Sequence, residues 1–136
     1  MGAAPPCREE MNGAAMAENE GLLTRDDYIN ITEGLARVRD NKKLFRRMLG
    51  MFLESEEFAA LDGYLAAKDY AKAADSAHAI KGMTGNLSLT QLFIISTKLM
   101  EDLRQGISSE EAEAAYQAAY TQTRIYVEEV MAEMDA

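Results

Sequence analysis

His78, the single histidine of the chain, lies in the run Ala77-His78-Ala79-Ile80-Lys81-Gly82-Met83-Thr84-Gly85-Asn86-Leu87. Imidazole is the side chain that ordinarily offers an uncharged nitrogen nucleophile near neutral pH. On a helix, residues three and four apart are neighbours, so Lys81 and Gly82 flank His78 on one face. Gly85 follows two turns on, and Ala74 and Ala71 lie one and two turns back. The ring therefore stands beside one cation and otherwise among residues with little or no side chain. Its nitrogen is open to something large. Gly82 and Gly85 each cost a helix about 1 kcal/mol relative to Ala, and two such costs on one face ask for a reason. Steric clearance around His78 is one reason; local packing or a gentle bend is the other. Lys81 can offset added negative charge by about 0.3–1 kcal/mol when exposed, and by more under a partner.

At about 100° per residue, Ala73, Ile80, Thr84 and Leu87 gather on one side of this helix and face a core. His78 points roughly opposite, with Ala71, Ala74, Asp75, Lys81, Gly82 and Gly85 within about 60° of it. The plain alternative is a surface histidine with no role, and the bare neighbourhood weighs against it.

Other chemistries lack their parts. A metal site needs several converging His, Cys or acidic ligands, whereas the chain has one His and one Cys, Cys7 near the N-terminus. A nucleophile–base pair needs a second group held against the histidine. No GxxxxGK[ST] phosphate loop occurs. The chain has a nucleophile and no machinery for ATP, so the expectation is a carrier that takes its chemistry from partners and is not an enzyme.

The elements that position His78 are helical. Residues 1–24 are Gly/Ala/Glu-rich, contain Pro5-Pro6, lack periodicity and read as a flexible tail or linker; residues 25–136 read as one domain. Helical signals begin near Asp26. A short helix is expected over 32–38, with Thr32 as N-cap. Asp40-Asn41 then caps a longer helix whose apolar positions Leu44, Phe45, Met48, Leu49, Phe52 and Leu53 follow i, i+3/i+4 spacing. The pattern continues through a bend to Phe58, Leu61 and Leu65. Asp69 caps the histidine helix, which stops near Asn86, a residue that tolerates the left-handed conformation. Ser88-Leu89-Thr90-Gln91 and Ser108-Ser109-Glu110-Glu111 match capping boxes and open two further helices. The last of these is expected to be the longest, since no breaker interrupts Glu110 to Met134. The fold class expected is all-α: an antiparallel up-down-up-down four-helix bundle with a short extra N-terminal helix.

Composition narrows the partners. The 136-residue chain carries a net charge of −9, of which the tail, with one Arg and four Glu, holds −3. So acidic a chain is a poor ligand for nucleic acid or an anionic membrane. No apolar run reaches the length of a membrane span, and the N-terminus lacks a signal-peptide pattern. One cysteine forms no internal disulfide. The expectation is a cytoplasmic monomer. Six of the fourteen basic residues nevertheless fall between 37 and 47: Arg37, Arg39, Lys42, Lys43, Arg46 and Arg47. They are either a solvated helix start or a patch that steers an acidic protein face, to which Met48 and Met51 would add adaptable apolar contact.

His78-x-x-Lys81-Gly82, followed by Asn86-Leu87 and a helix start at Leu89, resembles the signature of histidine-containing phosphotransfer (HPt) domains. Ile31 to Val38, Phe52-Leu53-Glu54, Asp69-Tyr70 and Leu99-Met100-Glu101 also sit where these domains carry similar residues, so the likeness spans about 25–136. One departure is Ser88, where many members have Gly; a slightly different turn and an intact site are expected. The resemblance implies that His78 accepts a phosphoryl group from the aspartyl phosphate of a hybrid histidine kinase's receiver domain and passes it to a response regulator. Lys81 would be the electrostatic partner, and Gly82 with Gly85 the steric clearance. The receiver would supply the acidic pocket and the Mg²⁺, with no cofactor or metal of the chain's own. The rival reading is a helical adaptor that docks on a receiver or kinase without being phosphorylated; a third is an HPt module cut from a larger kinase.

Overall fold

The computed structural model describes residues 23–136, and every regular element in it is helical. The expected tail and its Cys7 lie outside the described residues, apart from Leu23 and Thr24. Thr24 already belongs to the domain. Its backbone N–H donates to the Asp27 carboxylate at 2.8 Å and starts α1, Arg25–Tyr28.

Helix α2 spans Ile31–Arg37. Its cap is Asn30, whose side chain accepts from Glu33 N at 3.0 Å, so Thr32 lies inside the helix instead of capping it. Arg39 and Asp40, at φ 55° and 59°, turn the chain into α3, Lys42–Glu54. Asn41 caps α3 through Leu44 N. The expected bent helix to Leu65 is two helices, α3 and α4, Glu57–Ala66. Ser55 leaves the helix at ψ 136°, and its hydroxyl accepts from Glu57 N. At the break one freed carbonyl finds a partner: Arg124, from the last helix, donates to Leu53 O at 3.1 Å.

The histidine helix α5 spans Tyr70–Asn86, capped by Asp69 through Lys72 N. Two residues of the next turn depart from expectation. The left-handed residue is Ser88, at φ 57°, not Asn86. Ser88 also caps nothing. Its hydroxyl donates to Glu33 Oε1 at 2.7 Å and accepts from Arg37 Nε at 3.2 Å, which ties α2 to the turn. Helix α6, Thr90–Arg104, starts at Leu89 without a side-chain cap. Helix α7, Glu110–Asp135, is the longest described, at 26 residues. Its cap is Ser109, through Ala112 N, while Ser108 donates to the Glu113 carboxylate.

Helix α5 packs between α4 and α6; α6 packs on α7, and α7 on α3. The core between them is aliphatic around Leu49, Leu61, Ile80, Leu92 and Leu99, with Phe45 buried beside α2 and a cluster of aromatic rings at one corner. There Phe58 stacks on Tyr120 at 4.1 Å between centroids, and Phe52 meets Phe58 edge-on at 5.3 Å. These rings fill the corner that the Ser55 break creates. Two exposed ion pairs, Arg25 with Glu133 at 2.7 Å and Arg46 with Asp135 at 2.8 Å, fasten α1 and α3 to the C-terminal turns of α7.

Candidate functional site

Helix α5 holds His78 in place by its opposite face. Ala73, Ile80 and Thr84 are 0% exposed and Leu87 is 2% exposed, as the 3.6-residue periodicity requires. Thr84 is polar yet satisfied, since its hydroxyl donates to Ile80 O at 2.8 Å. The buried arc is wider than expected. Ala74, placed on the open side by the wheel, is buried, as is Ala77, because α4 and α6 close in on both flanks. What remains exposed is a ridge of His78, Ala71, Asp75, Ala79, Gly82 and Asn86, with Lys81 and Gly85 half-buried along its edge. His78 has no hydrogen-bond or ion-pair partner among the described residues.

The two glycines differ. A Cβ built on Gly82 meets nothing within 4 Å, so the space one turn from the imidazole is empty. A Cβ on Gly85 would stand 3.1 and 3.3 Å from two ring atoms of Phe93 on α6. The space expected beside Gly85 for a partner is therefore filled from within the molecule. Packing between α5 and α6 accounts for Gly85, and it accounts for nothing at Gly82. A third glycine, Gly34 of α2, is fully committed to the fold: its Cβ would stand 2.6 Å from the Phe45 ring.

Two grooves border the ridge on its α3/α4 side. Toward the C-terminal end of α5, Met48, Met51, Met83 and Leu87 line an apolar groove of about 360 Å³. Met51 is 63% exposed, whereas Met48 is half-buried. Toward the N-terminal end, Glu54, Glu56, Glu57, Asp75 and Lys72 border a polar groove of about 800 Å³. Of the six basic residues between 37 and 47, Arg37 is engaged by Ser88 and Glu33 and Arg46 by Asp135. Arg39, Lys42, Lys43 and Arg47 are exposed and have no ion-pair partner among the described residues.

The chemistry available is narrow. Among the described residues no three His, Cys, Asp or Glu side chains converge as a metal site needs. No described helix is long and apolar enough to cross a membrane. The site offers an accessible ring nitrogen, a cation three residues on and a gap beside both. The sequence alone did not point to Phe93 or Met83 at this surface, because neither has a local signal; each is defined by what another helix brings against it. No protein-family model, curated protein or solved structure matches the chain.

Proposed function

We propose that this chain is a histidine phosphotransfer protein, carrying a phosphoryl group on His78 between the receiver domain of a hybrid histidine kinase and that of a response regulator. The observation that supports it most is the pairing of an exposed imidazole, without a hydrogen-bond or ion-pair partner among the described residues, with Gly82, where an added Cβ would meet nothing within 4 Å. On this reading α3 with α4, then α5, α6 and α7, form the four columns of an antiparallel bundle, with α1 and α2 as N-terminal additions. The protein acts in the cytoplasm as a monomer.

Transfer starts with the lone pair of a neutral ring nitrogen. It forms a P–N bond as the P–O bond to the aspartyl carboxylate breaks, and the carboxylate leaves as an anion. The proton on the other ring nitrogen stays or passes to water. Such a step needs positioning and charge neutralisation more than covalent machinery. The phosphoryl group carries close to two negative charges, and Lys81 offsets part of them. On this reading the Mg²⁺ and the acidic pocket arrive with the receiver. Gly82 leaves the receiver room to bring its aspartyl phosphate in line with the ring. The exposed cations at the start of α3 steer the receiver's acidic face.

The test is phosphoryl uptake. Purified protein takes label from a phosphorylated receiver but not from ATP alone, and the label survives alkali and is lost in acid, as a phosphoramidate is. Self-labelling from ATP, or no label from any receiver of the same cell, overturns the proposal. Binding to receivers without labelling would point to the unphosphorylated adaptor instead.

A further inference from the structure

The geometry points to Phe93 as a partner-contact residue of the His78 site, a side chain that α6 lends to the exposed face of α5. The inference rests on the phosphotransfer reading and says which residue meets the receiver next to the nucleophile.

Seven residues of α-helix turn through nearly two full turns, so Gly85 projects within about 20° of His78 and lies about 10 Å further along the axis. Two ring atoms of Phe93 stand 3.1 and 3.3 Å from where a Gly85 Cβ would be. The ring thus packs directly against the bare Cα of Gly85, at the edge of the ridge that carries the imidazole. Its backbone is fixed on α6, where Thr97 donates to Phe93 O at 2.7 Å. A side chain rooted at position 85 would rise from the ridge and stand in the way of a body approaching His78. A ring reaching in from α6 lies across the bare Cα instead and keeps the ridge low. Phe93 is half-buried, so the residue is not fully enclosed by the core.

The surroundings agree with contact. The apolar groove of Met48, Met51 and Met83 lies across the ridge from Phe93. The C-terminal half of the ridge thus has apolar side chains on both flanks, the Phe93 flank also carrying Lys81, with the Gly82 gap between them and His78. The acidic side chains Asp75, Glu54, Glu56 and Glu57 lie toward the other end. A receiver seated over His78 places its apolar contact toward Phe93 and keeps its own acidic pocket clear of the acidic end of the ridge. Phe93 sets how tightly it seats and leaves the bond-making step to His78.

Transfer from the phosphorylated receiver domain of a hybrid histidine kinase of the same cell, followed over a range of protein concentration, tests this. Phe93→Ala is expected to raise the half-saturating concentration about tenfold and to leave the maximal rate within twofold. Phe93→Leu, which keeps apolar bulk and safeguards the fold, gives an intermediate shift, and Phe93→Tyr restores tight seating. Gly85→Ala pushes the ring outward by a few tenths of an ångström and shifts half-saturation without changing the maximal rate. Wild-type half-saturation in both Phe93→Ala and Phe93→Leu, at unchanged circular dichroism, overturns the role. So does a loss of maximal rate that merely follows the folded fraction. A wild-type protein that takes no label overturns the inference together with the phosphotransfer reading, whereas a labelled wild type with indifferent Phe93 variants overturns the inference alone.

Discussion

The two faces of α5 are built from the same seventeen residues by opposite rules. One face is Ala73, Ala77, Ile80, Thr84 and the following Leu87, all buried. The other is His78, Asp75, Gly82 and Asn86, which touch little. Substitution on the first face is felt as stability, because it removes packed atoms from water-free surroundings. On the second, where there is little packing to lose, the proposed function predicts that it is felt as phosphotransfer. The two kinds of loss are therefore separable on one helix, and each variant below sharpens that separation or breaks it.

The largest effect belongs to His78→Gln. Uptake of phosphate is expected to vanish with the melting temperature unchanged, since no second histidine exists to substitute. Residual labelling of this variant would place the phosphoryl group elsewhere. Next comes Gly82→Leu, which keeps the bundle folded and gains up to about 1 kcal/mol of helix propensity, yet lowers transfer to about a thousandth, or about 4 kcal/mol of barrier. Wild-type transfer by this variant would mean that the gap beside His78 serves no approach.

Ile80→Ala, on the buried face, is the converse case. It should cost about 2–5 kcal/mol and lower the melting temperature by roughly 10 °C or more, while the folded fraction transfers phosphate at the normal rate. Lys81→Ala sits on the boundary between the faces, and a slowing of about two- to fivefold is expected, with the product more readily hydrolysed, in line with about 0.3–1 kcal/mol of charge compensation.

The smallest effect lies far from α5, at the C-terminal ion pairs. Hydrogen bonding by Arg25 and Arg46 holds the carboxyls of Glu133 and Asp135 below the usual carboxylate range. A folded-state pKa that is depressed contributes stability above the unfolded value and loses it as pH falls through the folded one. Arg46→Ala should therefore lower the melting temperature slightly at neutral pH and not at all in strong acid, where Asp135 is protonated in both proteins. A difference that persists unchanged into acid would assign the effect to packing of the arginine stem.

How much of this could be read beforehand divides along the same line between local and non-local causes. The exposure of His78, the caps at Asn41 and Asp69 and the end of α5 at Asn86 follow from periodicity and from side chains that bond within three residues, and the sequence carries both. Gly85 could be placed on the His78 face, but its reason lies on α6, in a ring eight residues later that no helical wheel of α5 contains. Ser88 fits a capping box by spacing. It is drawn off because Glu33 and Arg37, more than fifty residues earlier, engage its hydroxyl. Its left-handed backbone sits where the resembling family often has Gly, the residue that adopts that conformation without penalty. The break at Ser55 depends on Arg124. The angle of a residue is written in its own helix; what meets it is written elsewhere.

The aromatic corner has an optical consequence. The chain has six tyrosines and no tryptophan. Tyr116, fully buried, lies nearly parallel to Tyr120 at 6.3 Å, and Tyr120 is itself stacked on Phe58. Rigid, closely spaced rings of this kind dominate near-ultraviolet circular dichroism, and the signal disappears when side-chain packing loosens. The near-ultraviolet signal therefore reports on tyrosine packing, at this corner and at the Tyr28–Tyr126 pair 5.3 Å apart, and not on His78, which contributes no chromophore. A single tryptophan placed at Met51, which is 63% exposed beside the apolar groove, would give the silent face its own emission, and a blue shift on adding a receiver would let docking be watched apart from unfolding.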